Sequence, residues 1–127
     1  MATQADVTEL ALSLPHTTEK PSYGAPGFRV KAQLFARIRN EDGFVVCWVD
    51  GLEEKAAMLA AEPAKFTTTP HYDGHPTVLL QPAALERDEL LELLTESWLL
   101  RAPVTVRRAF EAARGAQDRR RPHDLRG

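Results

Sequence analysis

The chain has 127 residues, 43% of them hydrophobic and 27% charged, a length that suits one domain burying about two-thirds of its unfolded surface. That balance excludes a disordered chain, and a single cysteine, Cys47, excludes an intrachain disulfide or a cysteine-based metal cluster. The net charge of −2 conceals a split, because residues 1–100 sum to −7 and residues 101–127 to +5, so only the C-terminal end suits an anionic partner.

Val7, Leu10, Ala11 and Leu14 recur at helical spacing, with Thr3 as an N-cap residue and Pro15 as a stop. They predict a first helix from Asp6 to Leu14. His16 to Gly27 mixes proline and glycine with polar residues and is expected to be a loop. Phe28–Lys31, Leu34–Ile38 and Phe44–Val49 are rich in β-branched and aromatic residues, and Asn40 to Gly43 supplies a turn between the last two. These runs predict an antiparallel meander. A second helix over Leu52–Ala61 places Leu52, Ala56 and Leu59 on one face and stops before Pro63.

Lys65–Thr68 and Thr77–Gln81 read as two more strands, joined by a loop from Pro70 to Pro76. A third helix starts at Asp88 and buries Leu90, Leu91, Leu94, Trp98 and Leu99, ending at Pro103. Val104 to Arg114 reads as a fourth helix, and residues 115–127, rich in arginine and without apolar period, as a mobile tail outside a domain spanning 1–114. The expected fold class is α+β, an antiparallel sheet of about five strands with helices before, between and after it.

The N-terminus lacks a basic start and an apolar segment, and no apolar run approaches the ~18 residues needed to cross a bilayer. The expected compartment is the cytoplasm, with no membrane partner. An edge strand of a small sheet offers a place for a second copy to pair.

Tyr23, His71, Tyr72, Asp73 and His75 form a candidate ligand-binding set, since a polar loop gathers such groups around a ligand. His71, Asp73 and His75 are metal-ligating types, but their spacing matches no zinc signature, so no metal or cofactor is expected. His71 with Asp73 suits proton transfer, yet no nucleophile setting, oxyanion motif or glycine-rich phosphate loop accompanies them. The expectation is therefore a protein that is not an enzyme. A tyrosine before Gly-Ala-Pro is expected to pack on the core edge, and Trp48 and Trp98 are expected in the core. Arg101, Arg107, Arg108 and Arg114 lie on or near the fourth helix, with Arg119, Arg120 and Arg121 beyond. Together they form a candidate nucleic-acid-binding set able to track phosphates.

Leu14-Pro15, Glu19, Ser22-Tyr23-Gly24 and Pro26, then Phe28-Arg-Val-Lys and Phe35-Ala-Arg, set an ordered pattern. Glu62-Pro63 with Phe66, Thr69-Pro-His-Tyr-Asp-Gly-His-Pro-Thr-Val, Glu89-Leu, Ser97-Trp98 and Ala102-Pro103 continue it. From about Leu10 to Val106 this pattern resembles the YjbR-like (MmcQ/YjbR) family. The resemblance implies a compact α+β fold that has been likened to double-wing DNA-binding domains, and with it a DNA-binding label. Gln33 stands where many members have a lysine and Val104 where a basic residue is common, so two positive charges are missing. Thr77 replaces a common aromatic. The function expected is a non-catalytic binding domain: weak, sequence-independent DNA binding through the C-terminal arginines, or alternatively a small-molecule or protein ligand at the Pro-His-Tyr loop.

Overall fold

Thr3 closes a reciprocal cap on the first helix. Its Oγ1 accepts from the Asp6 N–H at 3.1 Å, and Asp6 Oδ2 accepts from the Thr3 N–H at 2.9 Å, satisfying donors that a helix start leaves unpaired. The structure, a computed structural model, describes residues 1–119. It begins with α1 (Gln4–Leu12), followed by the strands β1 (Thr17–Ser22), β2 (Ala25–Val30), β3 (Gln33–Ile38) and β4 (Val45–Trp48). Then come α2 (Leu52–Ala61), β5 (Phe66–Thr67), a 3-10 turn at Pro70–Tyr72 and β6 (Thr77–Leu80). A second 3-10 turn at Pro82–Ala84 leads into α3 (Arg87–Arg101) and α4 (Val104–Arg119). The fold is α+β, with six antiparallel strands in the order β1-β2-β3-β4-β6-β5.

The sixth strand comes from the segment expected to be a loop. Tyr23 and Gly24 have φ of 53° and 78°, the pair of positive angles that a two-residue type I′ hairpin turn requires. Ser22 and Ala25 pair beside the turn, and Pro21 faces Pro26 one step further out. The pair next to such a turn exchanges the ladder hydrogen bonds and the next pair does not. Neither proline therefore forfeits a bond to the other strand, which is why this hairpin tolerates residues that ordinarily break one.

Strand alternation sorts the sheet into two faces. Phe28, Ala36, Cys47 and Val78 line up across four strands, as do Ile38, Val45, Leu80 and Phe66, and all belong to the core. Between them, Arg37, Val46 and Leu79 share the opposite face with Trp48 and Thr77. A register shift places Ala36 opposite Phe28 and Leu34 opposite Arg29. Phe35 is thus an extra residue, a β-bulge that lets Phe35 and Ala36 both enter the core fully buried.

α1 and α3 cover the core face. Leu90, Leu94 and Trp98 of α3 are completely buried, and the Trp98 Nε1–H donates to the Pro15 carbonyl at 3.0 Å, satisfying the polar edge of the ring. Phe110 of α4 packs on the same indole, with ring centroids 4.7 Å apart. Ser97, absent from the expected buried face, is completely buried too. Its hydroxyl donates to the Phe35 carbonyl at 2.5 Å and accepts from the Trp48 N–H at 2.8 Å. It bridges β3 and β4 just past the Ala36–Cys47 pair, where their ladder ends. Cys47 lies beside it; burial pushes its thiol up to about 12, while a hydrogen bond with Ser97 works in the opposite direction.

Other elements depart from the expected pattern in specific ways. Leu52 and Leu91 are exposed, and the buried residue of α2 is Lys55. α3 begins at Arg87, capped by Glu86, whose N–H donates to Glu89 Oε1. The strand expected over Lys65–Thr68 shortens to two residues. α4 continues past Arg114 to Arg119, so the first part of the expected tail is helical. No helix among the described residues is long and apolar enough to cross a membrane.

Candidate functional site

The second face of the sheet carries a groove of about 580 Å³, a volume within the usual range for small-ligand sites. Its floor is Leu34, Val46 and Thr77, its walls include Trp48 and Tyr72, and Arg37 stands between them. Two of these side chains were expected elsewhere. Trp48 is only half-buried and faces the groove, because its strand position has the parity of Val46 rather than of core Cys47. Tyr23 is 94% exposed instead of packed on the core edge, because the turn conformation turns its ring outward at the groove's lip.

The loop wall is fixed from below. Lys55, 6% exposed, donates from Nζ to the Tyr72 carbonyl at 2.7 Å and to the His75 carbonyl at 3.0 Å. The Pro70–Tyr72 turn closes with Tyr72 N–H to Thr69 O and Asp73 N–H to Pro70 O. So held, Tyr72 offers its hydroxyl to Arg37, whose Nη2 donates to it at 2.8 Å. The His71 ring meets the Tyr72 ring edge-on at 4.9 Å, and Arg37 Cζ lies 5.8 Å from the centre of the Tyr23 ring. At the opposite wall, the Arg101 guanidinium lies 4.4 Å from the Trp48 ring centre, a cation–π contact. Its Nε donates to the Leu34 carbonyl at 2.9 Å and its Nη2 to Gln33 Oε1 at 3.2 Å. Thr77 is 4% exposed, and its Oγ1 has no hydrogen-bond partner among the described residues.

The candidate ligand set is therefore largely brought together: Tyr23, His71, Tyr72 and His75 all line the groove. Asp73 caps the turn, is exposed and stands outside the lining. Among the described residues no three His, Cys, Asp or Glu side chains converge as a metal ion requires. Arg37, Trp48 and Lys55 build the site without belonging to the expected set. Arg37 carries a signal in the sequence, a charge inside an apolar strand between core Ala36 and Ile38, which alternation sends to the other face, although Arg29 between core Phe28 and Val30 carries the same one. Lys55 carried no such signal, because a lysine in a surface helix is ordinarily solvated.

The candidate nucleic-acid set is dispersed. Arg101 is committed to the groove rim, away from the exposed Arg108 of α4. Arg107 is half-buried. Arg114 lies 5.3 Å from the Phe110 ring centre, in a trough of α3 and α4 that Glu89, Glu92 and Glu96 also line. Carboxylates beside a guanidinium oppose phosphate there. Arg119 ends the described part of α4, and Arg120 and Arg121 lie outside the described residues.

Comparison with known proteins now places the chain. Residues 12–100 match the YjbR family, from the end of α1 through nearly all of α3. The chain belongs to the YjbR family. Uncharacterised proteins of Mycobacterium bovis and Mycobacterium tuberculosis are 35% identical to it over 132 aligned positions, covering 91% of this chain and the whole of each relative. No solved structure matches. The matched span holds the groove lining from Tyr23 to Thr77 and stops just before Arg101, the rim residue with which the arginine set begins.

Proposed function

We propose that this YjbR domain is a non-catalytic binding domain whose ligand occupies the groove between Trp48 and the Pro-His-Tyr loop. The observation that carries this reading is the convergence of three aromatic rings (Tyr23, Trp48 and Tyr72) with Arg37 in one cavity of about 580 Å³. Apolar walls with a few placed polar groups are the ordinary composition of a small-ligand site. Tyr23 adds a second argument: a bulky, exposed residue with positive φ is strained where asparagine or glycine sits more easily. Its ring faces the groove's opening.

Catalysis lacks a constellation to support it. His71 and His75 line the groove, while Asp73, the expected partner of His71, caps the turn outside that lining. Weak DNA binding through the C-terminal end is the rival reading. It loses ground because Arg101 is committed to Leu34 and Gln33, and Arg114 sits among glutamates.

The test is an NMR fragment screen on the isotopically labelled full chain, paired with fluorescence anisotropy of a labelled DNA duplex at about 50 and 200 mM salt. Groove occupancy predicts fragment-induced shifts clustered on Leu34, Arg37, Trp48 and Tyr72. Salt-sensitive duplex binding that maps to Arg107, Arg108 and Arg114, with no fragment shifts in the groove, would replace this reading with the DNA one.

A further inference from the structure

We infer that the groove selects a flat aromatic ring bearing an anionic group, a carboxylate or a phosphate. The inference rests on the groove being the ligand site and adds what the ligand is.

Charge supplies the first argument. Two guanidiniums, Arg37 and Arg101, belong to the groove or its rim, while no Asp or Glu among the described residues lines it. In a chain of net charge −2, a recess with cations and no carboxylates is a local reversal of sign that favours an anion. Arg37 is the group placed to receive one. It uses one N–H on the Tyr72 hydroxyl, and a guanidinium has five in a planar fork matched to carboxylate and phosphate oxygens. Arg101 has already bonded Leu34 and Gln33 and stacks on Trp48, so it acts as a fixed charge beside the ring.

Shape supplies the second. Trp48, Tyr72 and the exposed ring of Tyr23 present aromatic surface around Arg37, which suits a ligand that is itself flat.

The experiment titrates the full chain with 2-naphthoate and adenosine 5′-monophosphate, and with their uncharged counterparts 2-naphthamide and adenosine, following the amide signals of Leu34, Arg37, Trp48 and Tyr72 by NMR. Either anion should bind at least ~10-fold tighter than its neutral counterpart, about the equivalent of one charge-assisted hydrogen bond. Which of the two binds distinguishes carboxylate from phosphate. Arg37→Met should abolish the preference, and Arg37→Lys should retain part of it, since charge survives without the fork. Neutral and anionic probes binding equally would overturn the anion inference and leave the groove as a ligand site. Fragments occupying the groove while no flat anion shifts these signals up to millimolar concentration would also overturn it. No shift there from any probe or fragment would overturn both.

Discussion

Replacing Lys55 with methionine tests how the loop wall of the groove is held. The substitution keeps the buried aliphatic stem and removes the ammonium, whose two hydrogen bonds, at 2.7 and 3.0 Å, go to the Tyr72 and His75 carbonyls. Each such charge-assisted bond contributes about 1.5 to 3 kcal/mol. Relieving the ammonium of burial and letting the carbonyls turn toward water around exposed Gly74 and His75 offset part of this. The expected net loss is about 2 to 4 kcal/mol, which lowers the urea midpoint by about 1 to 2 M at a slope of about 2 kcal/mol/M. Amide hydrogen exchange locates the effect. The Tyr72, Asp73 and His75 amides, which bond to Thr69, Pro70 and Tyr72 carbonyls, should lose protection even where the β3–β4 amides keep theirs. A variant within about 0.5 kcal/mol of the parent, with loop protection intact, would refute the claim that Lys55 fixes this wall.

Three further substitutions probe other parts of the argument. Ser97→Ala leaves the Phe35 carbonyl and the Trp48 amide without their shared partner, and should cost about 1 to 3 kcal/mol in denaturant unfolding with Trp48 packing disturbed in the indole spectrum. Tyr23→Asn relieves a positive-φ position whose ring is exposed; thermal unfolding should show a gain of about 0.5 to 1 kcal/mol together with weaker binding of whichever flat anion the groove accepts. The Cys47 thiol, held at about 12 against an ordinary 9.0, stays protonated in the folded chain while the unfolded chain ionises above about pH 9. The unfolded state then binds fewer protons, so stability falls between pH 9 and 12 by about 1.4 kcal/mol per pH unit from this group. Cys47→Ala should flatten that part of the alkaline stability profile, and iodoacetamide should label Cys47 only on unfolding.

Patterns that depend on neighbours in sequence were legible in the chain alone, and those that depend on contacts across the fold were not. Thr3 marks the start of α1, which runs over Gln4–Leu12 rather than from Asp6 to Leu14, and Pro63 follows the end of α2, because caps and breakers act within a few residues. The hairpin at Tyr23-Gly24 departs from the expected loop because a proline breaks a strand only where its missing N–H would face a partner strand. Pro21 opposite Pro26 is acceptable only in a register that the later strands complete. Leu52 and Leu91 follow helical spacing yet are exposed, since periodicity identifies a face without saying how much of it is covered. Of the loop residues that stand out as polar and aromatic in the sequence, Tyr23, His71, Tyr72 and His75 share one recess and Asp73 lies outside its lining. Their partners Arg37, Trp48 and Lys55 come from a strand, a strand and a helix, and only the folded register brings Arg37 and Trp48 into the recess and Lys55 behind its loop wall.

The paired prolines of the first hairpin bear on self-association. β1 is an outer strand of the sheet, and the amides of Thr17, Glu19 and Pro21 alternate toward the side that faces no other strand. Pro21 has no hydrogen to offer there, and Glu19 and Lys20 carry charge along the exposed run. A second copy laid against this strand would find an interrupted ladder lined with ions, a common safeguard against edge-to-edge growth. The other outer strand, β5, has two residues, too little backbone to template a neighbour. Both borders of the sheet are thus poor templates for a further strand.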